Sequence, residues 1–171
     1  MNLKILLSGA KGRMGSAIQS ISSDHDCTVS YPIDLGDKPE DGMEHCDVVI
    51  DFSLRDATLS LAQLAKEHNK PMVIGTTGHS KEDRHAIEQL SNFIPMVWAG
   101  NFSTGVNLLF FLTQQAAKVL DLNSGFDPEV IEMHHRLKKD APSGTADRLL
   151  EILKESRNAS DEDISHGREG M

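Results

Sequence analysis

The chain is poor in the residues that staple small folds. Its 171 residues include two cysteines, Cys27 and Cys46, without the paired spacing of a zinc ligand set. Neither a disulfide framework nor a metal site is therefore indicated. It lacks an apolar run of membrane-spanning length, and Met1-Asn2-Leu3-Lys4 enters an apolar stretch without the pattern of a secretory signal. It also lacks basic charge. Seventeen Lys and Arg stand against 26 Asp and Glu, for a formal net charge of −9 and a pI of about 5.3. That balance argues against a nucleic acid or an anionic membrane as partner. Internal repeats and low-complexity segments are missing as well. What remains is 39% apolar and 25% charged, the composition of a globular protein. The length suits one good-sized core, or one domain and part of a second. The expectation is a soluble, cytoplasmic protein.

The first motif is a strand, a glycine turn and a helix. Residues 3–7 form a compact apolar strand, followed by Ser8-Gly9-Ala10-Lys11-Gly12-Arg13-Met14-Gly15. A helix then runs to about Ile21, with Met14, Ile18 and Ile21 as its apolar residues. Gly9, Gly12 and Gly15 give GxxGxxG rather than the strict GxGxxG, yet the physics of a dinucleotide loop survives. Gly9 permits the tight turn, Gly12 lets the backbone approach a pyrophosphate, and Gly15 lets helix and strand pack closely. A second strand, 27–33, ends at Asp34, where a Rossmann unit binds the adenosine ribose hydroxyls. Asp34 is followed by Leu35 rather than an arginine, whereas Lys11 and Arg13 offer cations to a 2′-phosphate, so NADH and NADPH both stay open.

The alternation continues. The segment 37–45 is polar and turn-rich and reads as a surface connection. Residues 47–52 read as a buried strand, 55–67 as a helix, and 71–74 as a strand ending in Gly75-Thr76-Thr77-Gly78. Small residues there let the backbone lie against a flat ring, and the hydroxyls can bond its amide or ribose. A helix over about 81–90 and a strand over 95–98 complete an α/β pattern with right-handed crossovers and a parallel sheet. In such sheets ligands bind beyond the strand C-termini, where Gly9, Asp34, Phe52, Thr76 and Asn101 all fall. Ala99-Gly100-Asn101-Phe102-Ser103 reads as the way out of this domain. An apolar helix over 108–120 follows, whose Leu108, Phe111, Leu112 and Val119 read as core.

The richest stretch is Glu132-Met133-His134-His135-Arg136-Leu137-Lys138-Lys139-Asp140-Ala141-Pro142-Ser143-Gly144-Thr145-Ala146. Residues 128–133 read as a short strand, so His134 and His135 stand at its end and point to opposite sides. Ser143 suits the N-cap of a helix over 145–156. A helix start binds anions through free amides and its dipole. An imidazole, a lysine and an anion site in one loop describe a reactive pocket for an anionic substrate.

Together these blocks closely resemble the 4-hydroxy-tetrahydrodipicolinate reductase (dihydrodipicolinate reductase) family. The blocks are Gly9 to Gly15, Asp51-Phe52-Ser53, Gly75 to Gly78, Asn101 to Asn107, and the Glu132 to Ala146 signature, with His166-Gly167-Arg168-Glu169-Gly170 near the end. The resemblance implies a Rossmann-like doubly wound parallel sheet over 1–103. An α+β substrate and tetramerisation domain would follow over 104–171. Members continue with further strands past the Arg-Glu-Gly block, so that domain is expected to be incomplete. The implied activity is NADH- or NADPH-dependent reduction of a small dicarboxylate in lysine biosynthesis, in a homotetramer and without a metal. Residue by residue, His134 and Lys138 match the family's proton donors, His135 a substrate contact, and Gly144 and Thr145 the carboxylate-binding helix start. Gly9, Ala10, Lys11, Gly12, Arg13, Met14, Asp34, Gly75, Thr76, Thr77, Ala99, Gly100, Asn101 and Phe102 match the cofactor contacts. The rival readings are another two-domain nicotinamide-dependent dehydrogenase, and a module that binds NAD(P)H without turnover.

Overall fold

Five apolar runs become one parallel sheet in the computed structural model, which describes residues 2–120, 125–136 and 142–164. Strands β1 (Leu3–Ser8), β2 (Cys27–Ile33), β3 (Val48–Asp51), β4 (Met72–Ile74) and β5 (Met96–Trp98) pair in the order β2-β1-β3-β4-β5. The order reverses between β1 and β3, so this Rossmann-like sheet has its switch point there. Four helices connect the strands: α1 (Arg13–Ile21), α2 (Glu40–Met43), α3 (Arg55–Glu67) and α4 (Lys81–Leu90).

Alternation along the strands sends side chains to two faces. Leu6 and Val49 meet Met43, Leu61, Ala62, Ala65 and Ile87 on one face. Ile5, Leu7 and Val48 lie on the other with Ala10 and Ile18. The chain leaves β1 in one direction towards β2 and returns in the other towards β4 and β5. Right-handed crossovers then force α1 and the α3–α4 pair onto opposite faces. Both faces are thereby covered, as a parallel sheet requires.

Two sequence expectations change here. Segment 37–45 is not merely a surface connection, because it contains α2 and the fully buried Met43. Burying such a side chain is worth roughly 1.5–3 kcal/mol, enough to pull a polar stretch onto the sheet. Met14 and Ile21 stay 47% and 50% exposed, so α1 is seated by Ile18 and Gly15 instead of an apolar stripe.

The first compact unit is Met1–Gly100 and the second is Asn101–Met171. In the second, α5 (Thr104–Val119) packs against α6 (Gly144–Arg157). Arg157 Nη2 donates to the Leu120 and Phe126 carbonyls, at 3.3 and 2.7 Å, and ties the end of α6 to the chain after α5. The strand expected over 128–133 does not form. A strand needs a partner for its backbone groups, and the described residues of this unit include none. The face of α5 expected to be core is also open: Leu108, Phe111, Leu112 and Val119 are 54–76% exposed. One helix neighbour covers one stripe, and here that stripe holds Ala117.

Gly15 yields a test. A Cβ on Gly15 would stand 2.2 Å from the Gly9 carbonyl oxygen and 2.6 Å from Ala10 Cα, both backbone atoms. Alanine gains about 1 kcal/mol over glycine in a free helix, but overpacking against backbone costs about 1–3 kcal/mol. Gly15→Ala is expected to be net destabilising, read as a lower urea midpoint for loss of the sheet's circular dichroism. A raised midpoint would show that the loop yields.

Candidate active site

The C-terminal edge of the sheet gathers most of the residues singled out above. After β1 the chain turns at Gly9, with φ of +81°. A Cβ there would lie 2.3 Å from the Phe52 carbonyl oxygen, so only glycine fits between the ends of β1 and β3. The Gly9 and Ala10 amides both donate to the Ile33 carbonyl, at 3.0 and 3.1 Å, which draws the loop towards the end of β2. Lys11 N–H donates to the Asp34 carboxylate at 2.7 Å, and Leu35 N–H donates at 3.2 Å. These amide bonds, that of Lys11 first, hold the Asp34 carboxyl below the usual carboxylate range. Asp34 therefore stays ionised beside the loop. A cleft of about 200 Å³ lies here, lined by Ala10, Lys11, Pro32, Ile33, Asp34 and Asp37.

The start of α1 completes the cradle. Gly12 is its N-cap and makes no side-chain cap bond. The Arg13 and Met14 amides, first in the helix, have no intrahelical acceptor and suit an anion. A glycine turn closed to any Cβ, an open helix start and an ionised carboxylate next to it fit the pyrophosphate and ribose of a dinucleotide.

Beyond β3 and β4 the edge is braced by Asp51, a carboxylate with no exposed surface. It accepts from Ser53 Oγ and N–H, from Thr58 Oγ1 at 2.7 Å and from Thr76 Oγ1 at 3.0 Å. The Thr76 hydroxyl, expected to meet a ligand, is thus buried and spent on Asp51. Thr77 is exposed, and Gly75 N–H is tied to the Asp51 carbonyl at 2.8 Å. Ala99 follows β5 with its N–H on the Ile74 carbonyl at 3.1 Å. Gly100 closes the first unit. Asn101 and Phe102 open the second, where Asn101 Oδ1 accepts from Ser103 N–H at 2.8 Å. The Asp51 network escaped sequence reasoning, although Asp-x-Ser with later threonines carried the donors in plain view.

In the second unit His134 is joined to Glu132, His134 Nε2 lying 2.7 Å from Glu132 Oε2. The other Glu132 oxygen accepts from Ser143 N–H at 2.9 Å. Hydrogen bonds from the Ser143 hydroxyl and from His134 pull the Glu132 carboxyl down to about 2. Ser143, 4% exposed, caps α6 by accepting from Ala146 N–H at 3.2 Å. The Gly144 and Thr145 amides, which precede it in the helix, have no intrahelical acceptor. His135 is exposed. Lys138 lies outside the described residues. Among the described residues no group of three or more His, Cys, Asp or Glu could hold a metal, and no helix is long and apolar enough to cross a membrane.

Known proteins give this geometry a family. The family description "Dihydrodipicolinate reductase, N-terminus" matches residues 3–102, and "Dihydrodipicolinate reductase, C-terminus" matches residues 105–170. The chain belongs to the dihydrodipicolinate reductase family. A relative from Akkermansia muciniphila, named 4-hydroxy-tetrahydrodipicolinate reductase, is 46% identical over 99% of the chain and 69% of the relative. A Campylobacter jejuni relative of the same name is 40% identical, again over 99% of the chain and 69% of its own length. Among solved structures, dipicolinate-bound dihydrodipicolinate reductase from Paenisporosarcina sp. TG-14 superposes with a TM-score of 0.73 at 25% identity. It covers 100% of the chain and 72% of that protein. Membership in this oxidoreductase family makes the first unit a pyridine-nucleotide-binding domain.

Glu132 contributes to the acid sensitivity of the second unit. Its carboxyl titrates at 4.5 when unfolded and at about 2 when folded. The stabilisation is therefore complete above pH 4.5 and is lost as pH falls towards 2. Urea midpoints for α6 helicity are expected to fall across that window, and to fall less steeply in Glu132→Gln. Equal slopes would show that the bonds to Ser143 and His134 do not persist in solution.

Proposed function

We propose that the protein reduces 4-hydroxy-tetrahydrodipicolinate, by way of dihydrodipicolinate, to tetrahydrodipicolinate in the diaminopimelate route of lysine biosynthesis. The observation that carries this reading is the agreement of both halves of the chain with both halves of one reductase family. The glycine loop and Asp34 supply the matching chemistry. The cytoplasm is the proposed compartment.

The bound coenzyme supplies the hydride, and the chain's residues bind, orient and protonate. The open amides at the start of α1 hold the pyrophosphate, with the Gly9–Met14 loop lying along it. Asp34 accepts from the ribose hydroxyls. Its negative charge favours NADH, while Lys11 and Arg13 carry the positive charge that lets NADPH bind. The backbone of Gly75, Thr76 and Thr77, and the residues from Ala99 to Phe102, would supply further coenzyme contacts. In the second domain the Gly144 and Thr145 amides take one substrate carboxylate. His135 contacts the substrate, and Lys138 supplies a cation. His134 gives a proton to the ring carbon next to the reduced position, the work of a positioned imidazolium.

A homotetramer is the proposed assembly. The exposed Leu108, Phe111 and Leu112 on α5 support burial of that face in it.

Two variants test the reading, assayed by NADH and NADPH oxidation with freshly generated dihydrodipicolinate synthase product. His134→Ala is expected to lower kcat by about 10²–10⁴ with unchanged coenzyme binding. Wild-type protein that binds coenzyme but never turns over would replace the reductase reading with a binding module. Asp34→Ala is expected to move the NADPH:NADH ratio of kcat/KM towards NADPH by about tenfold, ~1.4 kcal/mol. An unmoved ratio would remove Asp34 from the coenzyme site.

A further inference from the structure

We infer that Glu132 is a positioning residue, which orients the His134 ring and joins the proton donor to the carboxylate-binding start of α6. The inference rests on the reading of His134 as proton donor. It stands on geometry in which one carboxylate is divided between two partners. Glu132 Oε2 meets His134 Nε2 at 2.7 Å, and Oε1 takes the Ser143 N–H at 2.9 Å. Ser143 is itself fixed, almost fully buried, with its hydroxyl on the Ala146 amide. The ring is thereby referred to the helix whose first amides are proposed to hold the substrate carboxylate.

The bond also decides which nitrogen reacts. Glu132 is held ionised by its partners, and an ionised carboxylate only accepts. It therefore keeps a proton on Nε2 and leaves Nδ1 to face the chemistry. In the reaction the imidazolium gives its Nδ1 proton to the enamine carbon; the electron pair of the carbon–carbon double bond forms the new C–H bond, and the ring-nitrogen lone pair forms the carbon–nitrogen double bond. Neutral imidazole remains with Nε2–H on Glu132, and water returns a proton to Nδ1. The other titratable or charged groups on residues 129–136 and in the first turn of α6 are Glu129, His135, Arg136 and Asp147.

The test is a ¹⁵N NMR titration of the histidines in the full chain, without substrate, for wild type, Glu132→Gln and Glu132→Asp. In wild type the neutral His134 ring is expected to carry its proton on Nε2. In Glu132→Gln, whose amide can donate as well as accept, the preference for a proton on Nε2 is expected to be lost, with Glu132→Asp keeping part of it. In Glu132→Gln kcat is expected to fall about tenfold, while the dissociation constant for NADH stays unchanged. The same His134 tautomer in wild type and folded Glu132→Gln would overturn the inference. So would a wild-type ring carrying its neutral proton on Nδ1, which decides the matter even if the variants fail to fold. Absence of wild-type turnover would instead count against the proposed reaction, since the titration is read without it.

Discussion

A carboxylate without access to water must be surrounded by donors, and Asp51 imposes that condition on the whole edge of the sheet. Its oxygens draw Ser53 from the turn after β3, Thr58 from the first turns of α3 and Thr76 from the end of β4. Leaving one such group unsatisfied would cost about 1–3 kcal/mol, a large part of a domain's net stability. The carboxylate therefore fixes three chain segments relative to one another. Phe52, the next residue, is locked by its own N–H on the Ser8 carbonyl at 3.0 Å. Its carbonyl oxygen in turn leaves no room for a Cβ on Gly9. The shape of the cleft at the glycine turn thus follows from a buried polar cluster behind it.

The helix starts at the proposed anion sites differ in ways that match their proposed tasks. Helices α4, α5 and α6 each begin on a serine whose hydroxyl accepts a backbone amide of the first turn. That satisfies one orphan donor and leaves the earlier amides open. Helix α1 begins on Gly12 without a side-chain cap, and α1 is the helix that follows the glycine loop. An anion at α1 meets more open amides than one at α6. The difference suits a doubly charged pyrophosphate at one helix and a single carboxylate at the other.

What could be read from the sequence was local. Strand β2 over 27–33, helix α3 over 55–67 and the Ser143 cap of α6 rest on periodicity and cap chemistry within a few residues, and the structure has them. Gly9 was legible for the same reason, since its positive φ serves the turn it stands in. What failed depended on distant partners. Burial of Met43 needs the sheet face built by β1 and β3, and the Thr76 hydroxyl is claimed by a residue 25 positions earlier. The apolar face of α5 reads as core by composition, but burial belongs to whatever covers a helix, and α6 covers only one side. Residues 128–133 have the apolar pattern of a strand, yet pattern supplies no partner for the backbone.

Glu132 lies between these two cases. Its spacing to His134 is two residues, which in an extended chain puts both side chains on one side. The pairing was therefore available from the sequence even though the expected strand does not form. The contact that gives it meaning was not, because Ser143 lies eleven residues away. A glutamate bonded to one histidine would be an ordinary ion pair on a half-exposed surface, worth little by itself. Bonded also to the cap of α6, it ties the imidazole to a rigid helix, and rigid support is what gives a proton donor a defined direction. The second unit therefore depends on this bridge as the first depends on Asp51: in both, a carboxylate with several partners places the groups that a ligand would meet.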